Sequence, residues 1–113
     1  MPIKDTEWVG SSLNDIREFP DSAKQEAGHQ LNKVQHGLNP DDFKPMTSVG
    51  AGVYEIRVHD DGNNAYRVIY IAKFEDSVYV LHAFHKTTEA TRKADIDLAK
   101  DRYKHVLAKR KRK

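Results

Sequence analysis

Three runs rich in β-branched and aromatic residues fill the middle of this chain: Val53 to His59, Ala65 to Phe74 and Val78 to Lys86. Turn formers separate them, Asp60-Asp61-Gly62-Asn63-Asn64 after the first and Glu75-Asp76-Ser77 after the second, which predicts a three-stranded antiparallel meander. Centring the first turn on Gly62 sets the register of its hairpin and puts Arg57 opposite Arg67. That register gathers Tyr54, Ile56, Val58, Tyr66, Val68 and Tyr70 on the other face, as a core surface. In the third strand a slip of one residue exchanges the faces. Its composition favours Tyr79, Leu81 and Ala83 on the core side, leaving His82, Phe84 and Lys86 beside Arg67.

On either side of the meander the apolar period becomes helical. Leu13, Ile16 and Phe19 line one side of a short helix that Ser11 or Ser12 caps and Pro20 stops. Ala27, Leu31, Val34 and Leu38 form the stripe of a second helix, opened at Asp21 or Ser22 and ended by Gly37 and Pro40. Gly28 lies inside that helix, where glycine costs about 1 kcal/mol relative to alanine, and so predicts close approach to another backbone. Lys4 to Val9 reads as a short first strand, and Asn39 to Gly52 as a linker too short to divide domains. Ile96, Ala99, Tyr103 and Val106 predict a last helix, capped by a threonine at 87, 88 or 91 and running to about Leu107. The expected fold is α+β, an N-terminal α-hairpin packed on an antiparallel meander with a C-terminal helix. One domain spans residues 1–108, followed by a disordered basic tail at 109–113.

With 113 residues the chain can bury one core. It has no cysteine, which excludes disulfides, a thiol nucleophile and a cysteine zinc site. No apolar run approaches the roughly 20 residues that span a bilayer, and the N-terminus lacks a signal peptide's regions, so a cytoplasmic protein without a membrane role is expected. The net charge of +2 hides an asymmetry. Residues 1–83 hold 8 Lys and Arg against 13 Asp and Glu, whereas residues 84–113 hold 11 against 4. A basic C-terminal part suits a polyanionic partner, although a solvated basic face reads the same way.

The chain has no glycine-rich phosphate loop, nucleophile elbow or His-Glu-x-x-His. His82 and His85 are three apart on a strand and point to opposite faces, so they cannot chelate one ion; His29 and His36 alone make a poor pair of ligands. No metal or cofactor is expected. What remains is one face with Arg57, Arg67, Lys86, the exposed aromatic Phe84 and one or both of His82 and His85. Like charges directly opposite on a sheet are destabilising, and two guanidinium groups hold phosphate oxygens well. An exposed ring can stack on an unpaired base, and a histidine titrates near neutrality. The set suits metal-free RNA cleavage by the ribose 2′-hydroxyl. Each arginine also has the plain reading of an ion-pair partner, with Glu55 within reach of either. His59 and His105 read as solvated.

The ordered pieces are distinctive together. Phe19-Pro20, Gly28-x-x-Leu31-x-x-x-Gln35-x-Gly37-x-x-Pro40, Lys44-Pro45-Met46 and Gly50-x-Gly52-Val53-x-Glu55-Ile56-Arg57 come first. Tyr66-Arg67-Val68, Leu81-His82-Ala83-Phe84-x-Lys86 and Asp95-Ile96-x-Leu98-Ala99-x-x-Arg102-Tyr103 follow. Over residues 8 to 107 the chain resembles the phage-derived HigB-like branch of the RelE/ParE toxin superfamily. The resemblance implies a type II toxin, monomeric when free, that cleaves mRNA in the ribosomal A site without a metal and is silenced by a helix-turn-helix, HigA-like antitoxin.

Carried over by position, the resemblance implies an active face of Arg57, Arg67, Phe84 and Lys86, with Lys44 approaching the RNA from the linker. With the residues' own chemistry added, the expected catalytic set is Arg57, Arg67, Lys86 and His82, with His82 or His85 as base or acid. The expected RNA contacts are Lys44, Phe84, His85, Arg92 and Lys93. Thr87 and Ala90-Thr91-Arg92 stand where relatives carry a further lysine and a Lys-Thr-Pro or Lys-Thr-Ser step, which implies fewer cations at the scissile phosphate. The same superfamily includes gyrase-directed toxins, so the fold leaves two alternatives: a non-catalytic gyrase binder and a degenerate toxin kept as a partner-binding module.

Overall fold

The computed structural model describes residues 3–87 and 91–111. Along the chain run β1 (Asp5–Trp8), α1 (Ser12–Arg17), α2 (Asp21–Gln35), β2 (Phe43–Pro45), β3 (Val53–His59), β4 (Ala65–Ile71), β5 (Ser77–Lys86) and α3 (Lys93–Lys111). The strands form one sheet in the order β1-β5-β4-β3-β2, antiparallel except for β1, which lies parallel to β5. This is the expected α+β architecture with one addition. Phe43–Pro45, inside the presumed linker, extends the sheet as a short edge strand whose Lys44 faces Glu55.

The β3–β4 hairpin keeps the register read from its turn, and Arg57 lies directly opposite Arg67. The Asp60 side chain accepts from the Asn64 backbone N–H at 2.8 Å, and Asn63 takes the left-handed backbone conformation that closes the turn. Beneath the opposite face, α1 and α2 bring Ile16, Phe19, Ala23, Ala27, Leu31 and Val34 onto Ile56, Val58, Tyr66, Val68 and Tyr70. The end of α2 follows its sequence signal. Gly37 has a φ of 81°, its N–H reaches the Val34 carbonyl, and the Leu38 N–H reaches that of Lys33.

Four expectations change. Leu38, the last position of the predicted α2 stripe, lies beyond the helix end and is exposed. β5 carries a bulge: Ile69 pairs with His82 but the next residue, Tyr70, pairs with Val80, leaving Leu81 extra. Two successive residues at a bulge share a side, so Leu81 joins His82 on the arginine face. Tyr79 and Leu81 pack there, under α3, while Val78, Val80 and Ala83 face the α-hairpin. Of the three residues assigned to the hairpin core, only Ala83 sits there. Gly28 is exposed and a Cβ on it would meet nothing within 4 Å, so no backbone approaches it. The close approach is at Gly50 instead, where a Cβ would fall 2.1 Å from the Tyr103 ring.

Helix α3 lies across the second face with Ala99, Tyr103 and Val106 buried, as its spacing predicts. It continues through Lys111, so the first part of the expected disordered tail is its last turn. Arg110 explains why: it donates to the Tyr79 hydroxyl at 3.0 Å, pairs with Asp76 at 3.1 Å and stacks over Phe74. Residues 112 and 113 lie outside the described residues, as do 88–90, including one of the three threonines considered as a cap. Among the described residues no helix is long and apolar enough to cross a membrane.

Candidate active site

Helix α3 covers only part of its face of the sheet, and polar side chains occupy the rest in rows set by strand register. Lys44, Glu55, Ile69 and His82 make one row across β2 to β5, and Arg57, Arg67 and Phe84 make the next. His59, Ala65 and Lys86 make the third. The pleat therefore brings together Arg57, Arg67, Lys44, Lys86 and Phe84 from four strands.

Glu55 lies in the middle of these groups, fully buried. Its Oε1 is 3.4 Å from Arg67 Nε and 3.7 Å from Lys44 Nζ, and its Oε2 accepts from the Thr91 hydroxyl at 3.0 Å. The plain reading of Arg67 as an ion-pair partner is thus partly realised, and Thr91 serves Glu55 rather than capping α3. Arg57 is half-buried and pairs with Asp42 at 3.8 Å. Neither contact completes the guanidinium groups. Arg57 Nε, Arg67 Nε and Glu55 Oε1 are buried without a hydrogen-bond partner; the 3.4 Å contact has ion-pair distance but not hydrogen-bond geometry. Unpaired buried donors are rare in folded proteins, and a group of them marks a place where an acceptor belongs.

The electrostatics agree. Burial holds the Arg67 guanidinium below its ordinary pKa, Glu55 opposes this, and Arg57 adds to it. Lys86 is also held below the usual lysine range, by burial first, then by Arg67 against the pull of Glu55, then by Lys44 and Arg57. Arg67 and Lys86, both held below their ordinary values with Arg57 and Lys44 beside them and one buried carboxylate among them, have residual capacity for an anion. A bound phosphate would relieve that repulsion and supply acceptors.

The histidines divide. His82 shares the face but is only 6% exposed; its Nε2 lies 2.8 Å from Asp95 Oδ1 on α3, and its ring stacks on Phe84 at 4.9 Å. Its Nδ1 has no partner. This geometry suits holding Phe84 in place better than meeting solvent-borne substrate. His85 is exposed and points to the other face, where it stacks on Tyr66 at 4.8 Å. Arg92 and Lys93 lie beyond the cluster at the start of α3, Arg92 donating to Thr87 and Lys93 paired with Asp97. Among the described residues no three His, Asp or Glu side chains converge as metal ligands.

Sequence reasoning named Glu55 only as a possible partner and did not select Asp42, Thr91 or Asp95. The alternation Val53-x-Glu55-x-Arg57 already placed the carboxylate on the arginine face. Nothing local announced the others, because each reaches the site from a loop or helix distant in sequence.

Comparison with known proteins now bears on this geometry. The family described as "Phage derived protein Gp49-like (DUF891)" matches residues 14–104. Among curated proteins, none matches the chain. A solved structure of the E. coli toxin RelE, a double arginine-to-alanine mutant in the free state, superposes with a TM-score of 0.61 at 12% identity. The match covers 92% of this chain and 98% of that one; at such identity the likeness speaks for the fold alone. The chain belongs to the phage-derived Gp49-like family and has the fold of the RelE-like toxins.

Proposed function

We propose that this protein is the toxin of a type II toxin–antitoxin pair and acts as an endoribonuclease on mRNA at the ribosome, without a metal. The observation that carries the reading is the opposed pair Arg57 and Arg67 with their unpaired buried Nε donors, flanked by Lys86 and Lys44. In this reading the two arginines hold the scissile phosphodiester and Phe84 stacks on an adjoining base. The 2′-hydroxyl gives its proton to a base and attacks phosphorus; the new O–P bond forms as the bond to the 5′-oxygen breaks, leaving a 2′,3′-cyclic phosphate. Lys86, with its lowered pKa, donates the proton that the departing 5′-oxygen takes. His85 stacks on Tyr66 on the other face and is not placed to act as the base, so in this reading water at the open face takes the 2′-hydroxyl proton, while His82 positions Phe84. Arg92, Lys93 and the basic outer face of α3 would meet further RNA phosphates. A helix-turn-helix, HigA-like antitoxin encoded beside the gene would silence the toxin by covering the cluster.

Expression of the wild type, Arg57→Ala and Arg67→Ala in bacteria, with mapping of mRNA ends, tests this. Removing one charge-stabilising donor should lower cleavage about 10²–10³-fold. EDTA should leave cleavage by the purified protein intact. Undiminished toxicity of both variants overturns the mechanism, and cleaved DNA held on gyrase with intact mRNA replaces it with the gyrase reading.

A further inference from the structure

Beyond the last residue of β1, no strand among the described residues pairs with the outer side of β5, whose Leu81 carbonyl accepts from Arg102, and a groove of about 430 Å³ opens over it. That volume falls within the range of about 300–1,000 Å³ common to small-molecule sites. The groove is lined by Phe19, Tyr66, Phe84 and His85, with Asp15 and Glu18 of the α1 region at its rim. Its walls are built. Phe19 packs on Tyr66 at 4.7 Å, His85 stacks on Tyr66 at 4.8 Å, and Phe84 is backed by His82 at 4.9 Å.

Phe84 lines this groove and also stands in the row of Arg57 and Arg67, so the groove and the phosphate cluster meet at Phe84 on the sheet edge. A site that binds RNA phosphates has no electrostatic use for carboxylates unless they meet hydrogen-bond donors. Asp15 is partly engaged, accepting from the Ser11 hydroxyl at 2.8 Å, whereas the exposed Glu18 carboxylate has no partner among the described residues.

An ionised carboxylate only accepts hydrogen bonds. Of the four RNA bases, guanine alone presents two adjacent donors, N1–H and N2–H, on its Watson–Crick edge. Adenine and cytosine place a ring acceptor beside their amine, and uracil flanks its one N–H with two carbonyls; both arrangements repel a carboxylate. We infer that the groove is a base-specificity pocket that takes an unpaired guanine next to the cleaved phosphate, stacked on the His85–Tyr66 pair with Phe84 at the sheet edge, and with Glu18 accepting from N1–H and N2–H. The pocket rests on the ribonuclease reading for the phosphate cluster, and adds to it a substrate preference and a residue that sets it.

The test uses purified full-length protein and short single-stranded RNAs differing at one position beside the scissile phosphate: guanine, inosine, adenine, cytosine or uracil. Binding is measured by fluorescence anisotropy on RNAs made uncleavable by a 2′-deoxy sugar at the scission point, and cleavage on all-ribose counterparts. Guanine should bind about tenfold tighter than adenine, with inosine, which keeps N1–H but lacks the amine, in between. Glu18→Gln should reduce that tenfold preference to about twofold or less, while Glu75→Gln, in the turn at the other end of β5, keeps it.

A guanine preference that persists in Glu18→Gln, or no base preference in the wild type, overturns the pocket even if RNA is cleaved. Glu18-dependent guanine binding without cleavage supports the pocket and removes the nuclease reading. If neither binding nor cleavage occurs, both fall. If Glu18→Gln instead weakens only the capture of an arginine-bearing peptide, the donor edge is a guanidinium, and the RNA assignment is overturned.

Discussion

On the α1–α2 side of the sheet, Ile56, Val58, Val68 and Tyr70 meet Ala23, Ala27, Leu31 and Val34 in an apolar cluster. On the α3 side, Ile69, Ile71, Tyr79 and Leu81 meet Ala99, Tyr103 and Val106, but within a few residues the same face turns to Glu55, Arg67 and Lys86. The first face can be explained by burial alone, at about 25 cal/mol per Å² removed from water. The second cannot. A buried carboxylate with an imperfectly bonded guanidinium is poor stabilisation, since such a pair is commonly matched or bettered by apolar residues of similar size. One face holds the fold together, and the other gives up part of that stability to keep charge where an anion can reach it.

The largest expected effects separate the two faces by how they fail. Ile56→Ala should cost about 2–5 kcal/mol, with no partner able to restore it. Glu55→Ala should cost a comparable ~3–5 kcal/mol, because Arg67, only 7% exposed, loses its counter-charge. The charged loss should be recoverable. A Glu55→Leu, Arg67→Met double variant should return to within about 1 kcal/mol of wild type in urea unfolding while abolishing cleavage. A double variant as unstable as Glu55→Ala would mean that the pair supports the fold.

A smaller effect concerns pH. Lys86 is held below its ordinary value of 10.5, chiefly by burial and by Arg67, with Glu55 opposing and Lys44 and Arg57 adding. A lysine with a lowered folded pKa binds its proton more weakly than the unfolded chain does, so its charge works against folding at neutral pH. That penalty fades as pH rises from the lowered value toward 10.5, and returns as pH falls back through the lowered value. Lys86→Met should therefore raise Tm at pH 7, with a gain that shrinks as pH approaches 10.5, in paired thermal melts of variant and wild type. A gain independent of pH would place the effect in packing rather than charge. No such dependence is expected for a substitution in the α1–α2 core.

The smallest expected effect is a gain. Gly28 is exposed within α2 with open space around its missing Cβ, so Gly28→Ala should stabilise by roughly 0.5–1 kcal/mol and leave cleavage unchanged. Chemical denaturation with an activity check decides it, and a loss of stability would restore the close contact that the sequence suggested.

Periodicity alone determined the β3 and β4 part of the α1–α2 face and the Ala27, Leu31 and Val34 stripe above it. Residues two apart on a strand and three or four apart on a helix must share a side, and the Asp60–Asn64 turn transmits that rule across the hairpin, so Arg57 opposite Arg67 was legible before any coordinates. The stripe Ala99, Tyr103 and Val106 was legible for the same reason. Tertiary structure decided what period cannot encode. One extra residue at Leu81 moves Tyr79 and Leu81 under α3, since a bulge shifts everything beyond it by one position and is favoured by what packs above it. Lys44, Thr91 and Asp95 reach their partners Glu55 and His82 from elements separated in sequence, and the last turn of α3 forms because Arg110 meets Tyr79 and Asp76. Side-chain alternation acts over neighbouring residues, whereas charge pairing and helix seating act through space, and only the folded chain sets those distances.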